Sequence, residues 1–91
     1  MKVKVKYYNV LQEALGKREE TYQLKKNTDL AGLIKIIADN HGDKVRQMLY
    51  PNSEVLANHI RIFVNDKLTY ELSTPLTDGA EIALFYAVVG G

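Results

Sequence analysis

The stretch Glu81-Ile82-Ala83-Leu84-Phe85-Tyr86-Ala87-Val88-Val89-Gly90-Gly91 decides the fold. Glu81 to Val88 reads as a strand, with Ile82, Leu84 and Tyr86 on one face and Ala83, Phe85 and Ala87 on the other. Two glycines then end the sequence and discard every side chain. Glycine has no Cβ and is permissive in φ and ψ. A Gly-Gly tail is therefore thin enough to thread a narrow channel, and it presents one reactive group, the α-carboxyl of Gly91. Most domains end in polar, frayed residues instead.

Upstream of this strand, Pro75-Leu76-Thr77-Asp78-Gly79 is a turn. Leu68, Tyr70 and Leu72 read as a short fourth strand, preceded by the turn pair Asn65-Asp66. Ile60, Ile62 and Val64 alternate with Arg61, Phe63 and Asn65, which is a third strand. At the other end of the chain, Val3, Val5 and Tyr7 alternate with Lys2, Lys4 and Lys6, giving a first strand with one buried and one wet face. Residues 9–15 form a short helical turn closed by Gly16. Glu20, Tyr22 and Leu24 alternate with Thr21 and Gln23, a second strand expected to run antiparallel to the first.

Thr28 is the expected N-cap of the main helix, with Asp29 at the positive end of its dipole. Leu30, Leu33, Ile34, Ile37 and Ala38 keep the helical period, and Gly42 is a natural C′ stop. Asp43 is expected to cap a shorter helix that places Val45, Met48 and Leu49 on one face and ends before Pro51. Residues 52–58 read as a surface loop. With the first and last strands parallel at the centre, this order is that of an α+β β-grasp, or ubiquitin-like, roll. Its mixed sheet carries one main helix on one face. We expect a single such domain over residues 1–91, with Gly90 and Gly91 as a flexible tail.

The 91 residues are 46% hydrophobic and 25% charged, an ordinary globular profile. A net charge of +1 gives no general attraction to nucleic acid or anionic membrane. The N-terminus alternates Lys and Val rather than forming an apolar h-region, so no signal peptide is expected. The longest apolar run is far too short to span a bilayer, and the expected location is the cytoplasm. There is no cysteine, which excludes disulfides, thiolate metal sites and a cysteine nucleophile. If the protein handles sulfur, it does not do so on a side-chain thiol.

Parity turns Phe85 outward if Ile82, Leu84 and Tyr86 pack under the helix. Tyr8 then shares the outer side with Lys4 and Lys6, and Leu68 joins them. Phe85, Tyr8 and Leu68 are thus candidate partner-binding residues, aromatic and aliphatic anchors ringed by charge. His41, near a helix C-terminus, and His59, beside a loop, read as structural. No metal site is expected, because two isolated histidines without cysteine give no metal spacing. Asp66, Asp78 and Glu81 sit in or beside turns, which explains them better than a catalytic carboxylate pair does. Lys2, Lys4 and Lys6 read as a solvated strand face. No phosphate loop and no Ser-His-Asp set is present, so the chain lacks the parts of a self-sufficient active site.

Val64-Asn65-Asp66-Lys67-Leu68, then Pro75-Leu76-Thr77-Asp78-Gly79-Ala80-Glu81-Ile82-Ala83, then Val88-Val89-Gly90-Gly91 resemble the MoaD/ThiS sulfur-carrier family. The opening from Val3 to Gly16 also looks like the first strand and short helix of MoaD-type proteins. The similarity covers almost the whole chain, and its most specific part is the last third. The length, with the extra helix from Asp43 to Tyr50, looks closer to molybdopterin synthase small subunits than to the shorter thiazole-pathway carriers. One departure is Tyr86-Ala87, which stands where many members have proline.

The resemblance implies a carrier, not an enzyme on its own, whose chemical site is the Gly91 carboxylate on a tail of Val88, Val89 and Gly90. It implies two partners, an adenylating enzyme of the MoeB or ubiquitin-activating type and the molybdopterin synthase large subunit. ATP would be used by the activating enzyme, and no cofactor is expected on this chain. The same tail chemistry also serves ubiquitin-like protein modifiers of the archaeal or Urm1 kind, conjugated to lysines or acting in tRNA thiolation, and thiamine-pathway sulfur carriers. A plain interaction domain with an inert Gly-Gly end is the alternative from another class.

Overall fold

The computed structural model describes residues 1–86; the expectations placed on Ala87 and on Val88, Val89, Gly90 and Gly91 lie outside the described residues. The strands β1 (Lys2–Tyr8), β2 (Glu19–Gln23), β3 (Ile60–Val64), β4 (Lys67–Leu68) and β5 (Glu81–Tyr86) form one mixed sheet in the order β2-β1-β5-β3-β4. The helices α1 (Asn9–Leu15), α2 (Leu30–Asn40) and α3 (Gly42–Leu49) complete the described elements. β1 and β5 run parallel at the centre, with Val5 opposite Ile82 and Tyr7 opposite Leu84. β2 and β3 flank them antiparallel. This is the β-grasp arrangement expected from the strand order.

The parallel register is set by the turn before β5. The Lys2 N–H donates to Asp78 Oδ1 at 2.7 Å, and the Gly79 N–H donates to the Lys2 carbonyl at 2.7 Å. Asp78 is thus a register pin. One face of the sheet is apolar and covered. Val3, Val5, Tyr7, Ile60, Ile62, Ile82 and Leu84 are buried there with Leu33, Ile34 and Ile37 of α2, Leu11 of α1, and Val45 and Leu49 of α3. Burying each large aliphatic side chain of this set stabilises the fold by about 1.5–3 kcal/mol relative to exposure.

Three local expectations need correction. The N-cap of α2 is Asp29 rather than Thr28. The Thr28 hydroxyl is spent on the Lys25 carbonyl at 2.7 Å, in a turn where Asn27 takes a φ of 73°. Asp29 Oδ1 instead accepts the Gly32 N–H at 2.8 Å. Gly32 suits that cap, since a Cβ there would stand 3.1 Å from Thr28 Cγ2.

Asp43 does not cap α3. That helix begins at Gly42, with no side-chain cap, directly after α2, and Asp43 instead meets Arg46 in its first turn. β4, finally, is two residues long and does not reach Tyr70 or Leu72. The chain leaves the sheet because its carbonyls are needed elsewhere. Leu72 and Thr74 accept the Ala31 and Leu30 N–H groups at 2.9 and 3.0 Å, two donors that a helix start leaves unpaired.

Candidate functional site

The second face of the sheet carries a row of apolar side chains that are half-buried or, at Leu68, exposed. β1 and β5 are parallel neighbours with Tyr8 directly opposite Phe85. Their rings stack with centroids 4.3 Å apart and planes 3° from parallel. Phe63 of β3 meets Phe85 edge-on at 5.4 Å and 70°. Leu68 pairs with Phe63 across the β3–β4 hairpin and extends the row to the sheet edge, 45% exposed. Tyr8, Phe63, Asp66, Ala83 and Phe85 line a shallow depression of about 240 Å³.

The structure thus brings Tyr8, Phe85 and Leu68 onto one face. Sequence reasoning missed Phe63 as a member, although the alternation in β3 already set it apart from Ile60 and Ile62. Its meeting with Phe85 depends on the β3–β5 register, which pairs Phe63 with Ala83 and Arg61 with Phe85.

The lysine stripe beside the patch is partly neutralised. Lys6 Nζ lies 3.1 Å from Glu81 Oε1, and Lys4 Nζ lies 3.5 Å from Glu19 Oε2. The hydrogen bond to Glu81 and its charge raise the Lys6 ammonium above its ordinary value, and the same pair lowers Glu81. These exposed pairs surround the rings with both signs of charge and contribute little to stability.

A second cluster, also missed, has the look of an acid–base site. Glu20 Oε1 accepts from the Tyr7 hydroxyl at 2.5 Å and the Tyr22 hydroxyl at 2.8 Å, and stands 2.7 Å from His41 Nε2. Lys17 Nζ reaches the other oxygen at 3.2 Å. Burial pushes the Glu20 carboxyl up, but these hydrogen bonds outweigh it and hold it at about 2. Burial and Glu20 push Tyr22 up to about 12 and Tyr7 also upward. The groups serve one another and tie β1, β2 and the α2–α3 junction together, so His41 has the structural role expected of it. The sequence signal was a carboxylate sharing the inward parity of Tyr22 and Leu24, a position that demands partners.

Among the described residues there is no group of three or more His, Asp or Glu side chains that could hold a metal, and no helix is long and apolar enough to cross a membrane. The ThiS family model matches residues 5–91. The chain belongs to the ThiS family of ubiquitin-like sulfur carriers.

Solved structures of similar shape accompany this family match. Haloferax volcanii SAMP1 superposes with a TM-score of 0.87 at 21% identity, covering 100% of both chains, a likeness of fold. A Pyrococcus furiosus protein described as molybdopterin converting factor, subunit 1, is 26% identical with a TM-score of 0.77, over 97% of this chain and 99% of that one. The Helicobacter pylori complex of subunits 1 and 2 of molybdopterin-converting factor contains a chain 25% identical to this ThiS-family member. Its TM-score is 0.65, with 100% of both chains covered. No curated protein sequence matches the chain.

Proposed function

We propose that this chain is the sulfur-donating small subunit of a molybdopterin synthase, and that its reactive group is the α-carboxyl of Gly91. The observation that carries the reading is the open Tyr8–Phe63–Phe85 face, which ends where the tail begins. Phe85 belongs to both the patch and the strand that runs into Val88, Val89, Gly90 and Gly91. A partner that grips Phe85, Tyr8 and Leu68 therefore receives the tail at a fixed offset. Fully extended, Val88 to Gly91 reach about 13 Å, enough for a buried pocket. The identity with a subunit of molybdopterin converting factor supports this acceptor over a lysine.

The activating enzyme, of the MoeB type, would dock on this face and bind ATP itself. The Gly91 carboxylate attacks the α-phosphorus, pyrophosphate leaves, and an acyl adenylate forms. Sulfide then displaces AMP and leaves a thiocarboxylate. A persulfide in its place forms an acyl disulfide, whose S–S bond a second thiol of the sulfur donor cleaves, releasing the thiocarboxylate and a disulfide. Thioacids are ionised at neutral pH, so the sulfur needs no neighbouring base, in keeping with a chain without cysteine. The synthase large subunit takes the same face in turn and passes the sulfur to a pterin precursor. Two successive partners on one surface call for moderate affinity to each.

The test is mass spectrometry of the chain after incubation with ATP, a sulfur source and the activating enzyme. A gain of one sulfur-for-oxygen exchange on Gly91, lost again on adding large subunit and pterin precursor, is the expected result. An unchanged mass with a competent enzyme contradicts it. Conjugates to lysines that disappear when Gly91 is deleted would assign the chain to the protein modifiers instead.

A further inference from the structure

We infer that His59 and Tyr86 form a clamp that holds the described end of β5, which makes His59 a positioning residue for the chemistry at Gly91. The inference rests on the function proposed above and concerns a residue outside the docking face. The last two described residues of β5 are held from opposite sides. Phe85 is gripped on the outer face by Tyr8 and Phe63. Tyr86 packs against the covered core, and its ring meets His59 edge-on, with centroids 5.2 Å apart and planes at 64°.

His59 stands one residue before Ile60, the register partner of Tyr86 in the last described rung of the β3–β5 ladder. It does not ride on a loose loop. The Ala57 N–H donates to the Leu49 carbonyl at 2.8 Å, tying the loop to α3. Arg61 Nη1 donates to the Asn58 carbonyl at 2.8 Å, and Arg61 is itself the register partner of Phe85. Both sides of the tail root are therefore braced by the same short segment, residues 57–61.

The clamp matters because the reacting carboxylate lies on a tether. Five residues follow Tyr86 in the sequence, a reach of about 17 Å when extended. Releasing Tyr86, the residue His59 meets, would lengthen the tether to six residues. For a flexible chain that alone lowers the effective concentration of its end by less than about twofold. Misplacing a reacting group by an ångström costs up to about a hundredfold. Loss of the clamp changes the exit direction as well as the length. The expected effect thus falls between these limits, about three- to tenfold in kcat.

The experiment compares the unsubstituted chain with His59→Ala and His59→Phe. Backbone ¹⁵N order parameters at Tyr86 are measured on the free protein, and ATP–pyrophosphate exchange is measured with the activating enzyme. For His59→Ala the order parameter of Tyr86 should fall from about 0.85 to below about 0.6. Its kcat should fall about three- to tenfold with the KM for the carrier unchanged. His59→Phe, which keeps an aromatic partner for Tyr86, should restore both. An order parameter or a kcat in His59→Ala equal to that of the unsubstituted chain overturns the clamp, as does a kcat loss that phenylalanine fails to restore. The relaxation measurement needs no enzyme, so its failure counts against the clamp alone. Absence of exchange by the unsubstituted chain counts against the proposed function.

Discussion

The Glu20 corner and the Tyr8–Phe85 face are made of similar material, aromatic rings beside charged side chains, and they differ in what completes them. At Glu20 every partner comes from within the chain. Tyr7, Tyr22, His41 and Lys17 converge on one carboxylate, and among the described residues no buried side-chain nitrogen or oxygen lacks a hydrogen bond. On the outer face the Phe85 ring meets those of Tyr8 and Phe63, and all three residues stay half-buried. The cluster that resembles an acid–base site is thus a structural tie, and the apolar face is the one we propose a partner reads. For the carrier proposed above, with its chemistry on the Gly91 carboxyl, that division is sensible. The fold must be rigid where it is closed and sticky where it is open.

The division can be broken by substitution. Leu84 is wholly buried on the covered side of β5, so Leu84→Ala should cost about 2–5 kcal/mol in a denaturant melt. A loss under about 1 kcal/mol would mean that the covered face is not the core.

Glu20→Gln should cost about 1.5–3 kcal/mol at neutral pH, the range for hydrogen bonds to a charged group. Its pH dependence is the sharper check. Because folding lowers the Glu20 carboxyl from 4.5 to about 2, its contribution is fully present above pH 4.5 and is lost as the pH falls toward 2. The unsubstituted protein should therefore lose its advantage over Glu20→Gln across that window. A constant difference from pH 7 down to pH 2 would show that the carboxylate charge is not what the corner uses.

Phe85→Ala, one residue from Leu84, should reverse the pattern. Its stability cost should be about 0.5–1.5 kcal/mol, the worth of an aromatic contact. Its affinity for the activating enzyme should fall about 30-fold, as for a hot spot of about 2 kcal/mol. A large stability loss with unchanged affinity would make Phe85 a core residue. Leu68→Ala, at the exposed edge, should change stability by under about 0.5 kcal/mol and affinity by less than Phe85→Ala does.

What was legible in the sequence was whatever a local period or a local turn dictates. The alternation of Val3, Val5 and Tyr7 with lysines gave β1 its two faces, and the same parity turned Phe85 outward. Gly16 takes a φ of 74° and ends α1, while Asn65 and Asp66, at 49° and 68°, make the β3–β4 turn. What was hidden depends on distant parts of the chain. Leu68 to Leu72 has the pattern of a strand, yet Leu72 and Thr74 lend their carbonyls to α2, a demand invisible in their own segment. Thr28 and Asp29 are both good caps, and the turn at Asn27 decides between them. Glu20 finds its partners on β1, β2, the α1–β2 turn and the end of α2, which only the fold brings together. Phe63 was read only as alternating with Ile62 and Val64, and its contact with Phe85 needed the register.

The central claim is that the outer face, not the Glu20 corner, is what a partner reads. Titrating the ¹⁵N-labelled chain with its activating enzyme and following amide and aromatic resonances tests it most directly. We predict that Tyr8, Phe63, Leu68 and Phe85 shift or broaden first, while Tyr22 and His41 stay where they are. Perturbations centred on Glu20, Tyr22 and His41, with the outer face unmoved, would contradict it.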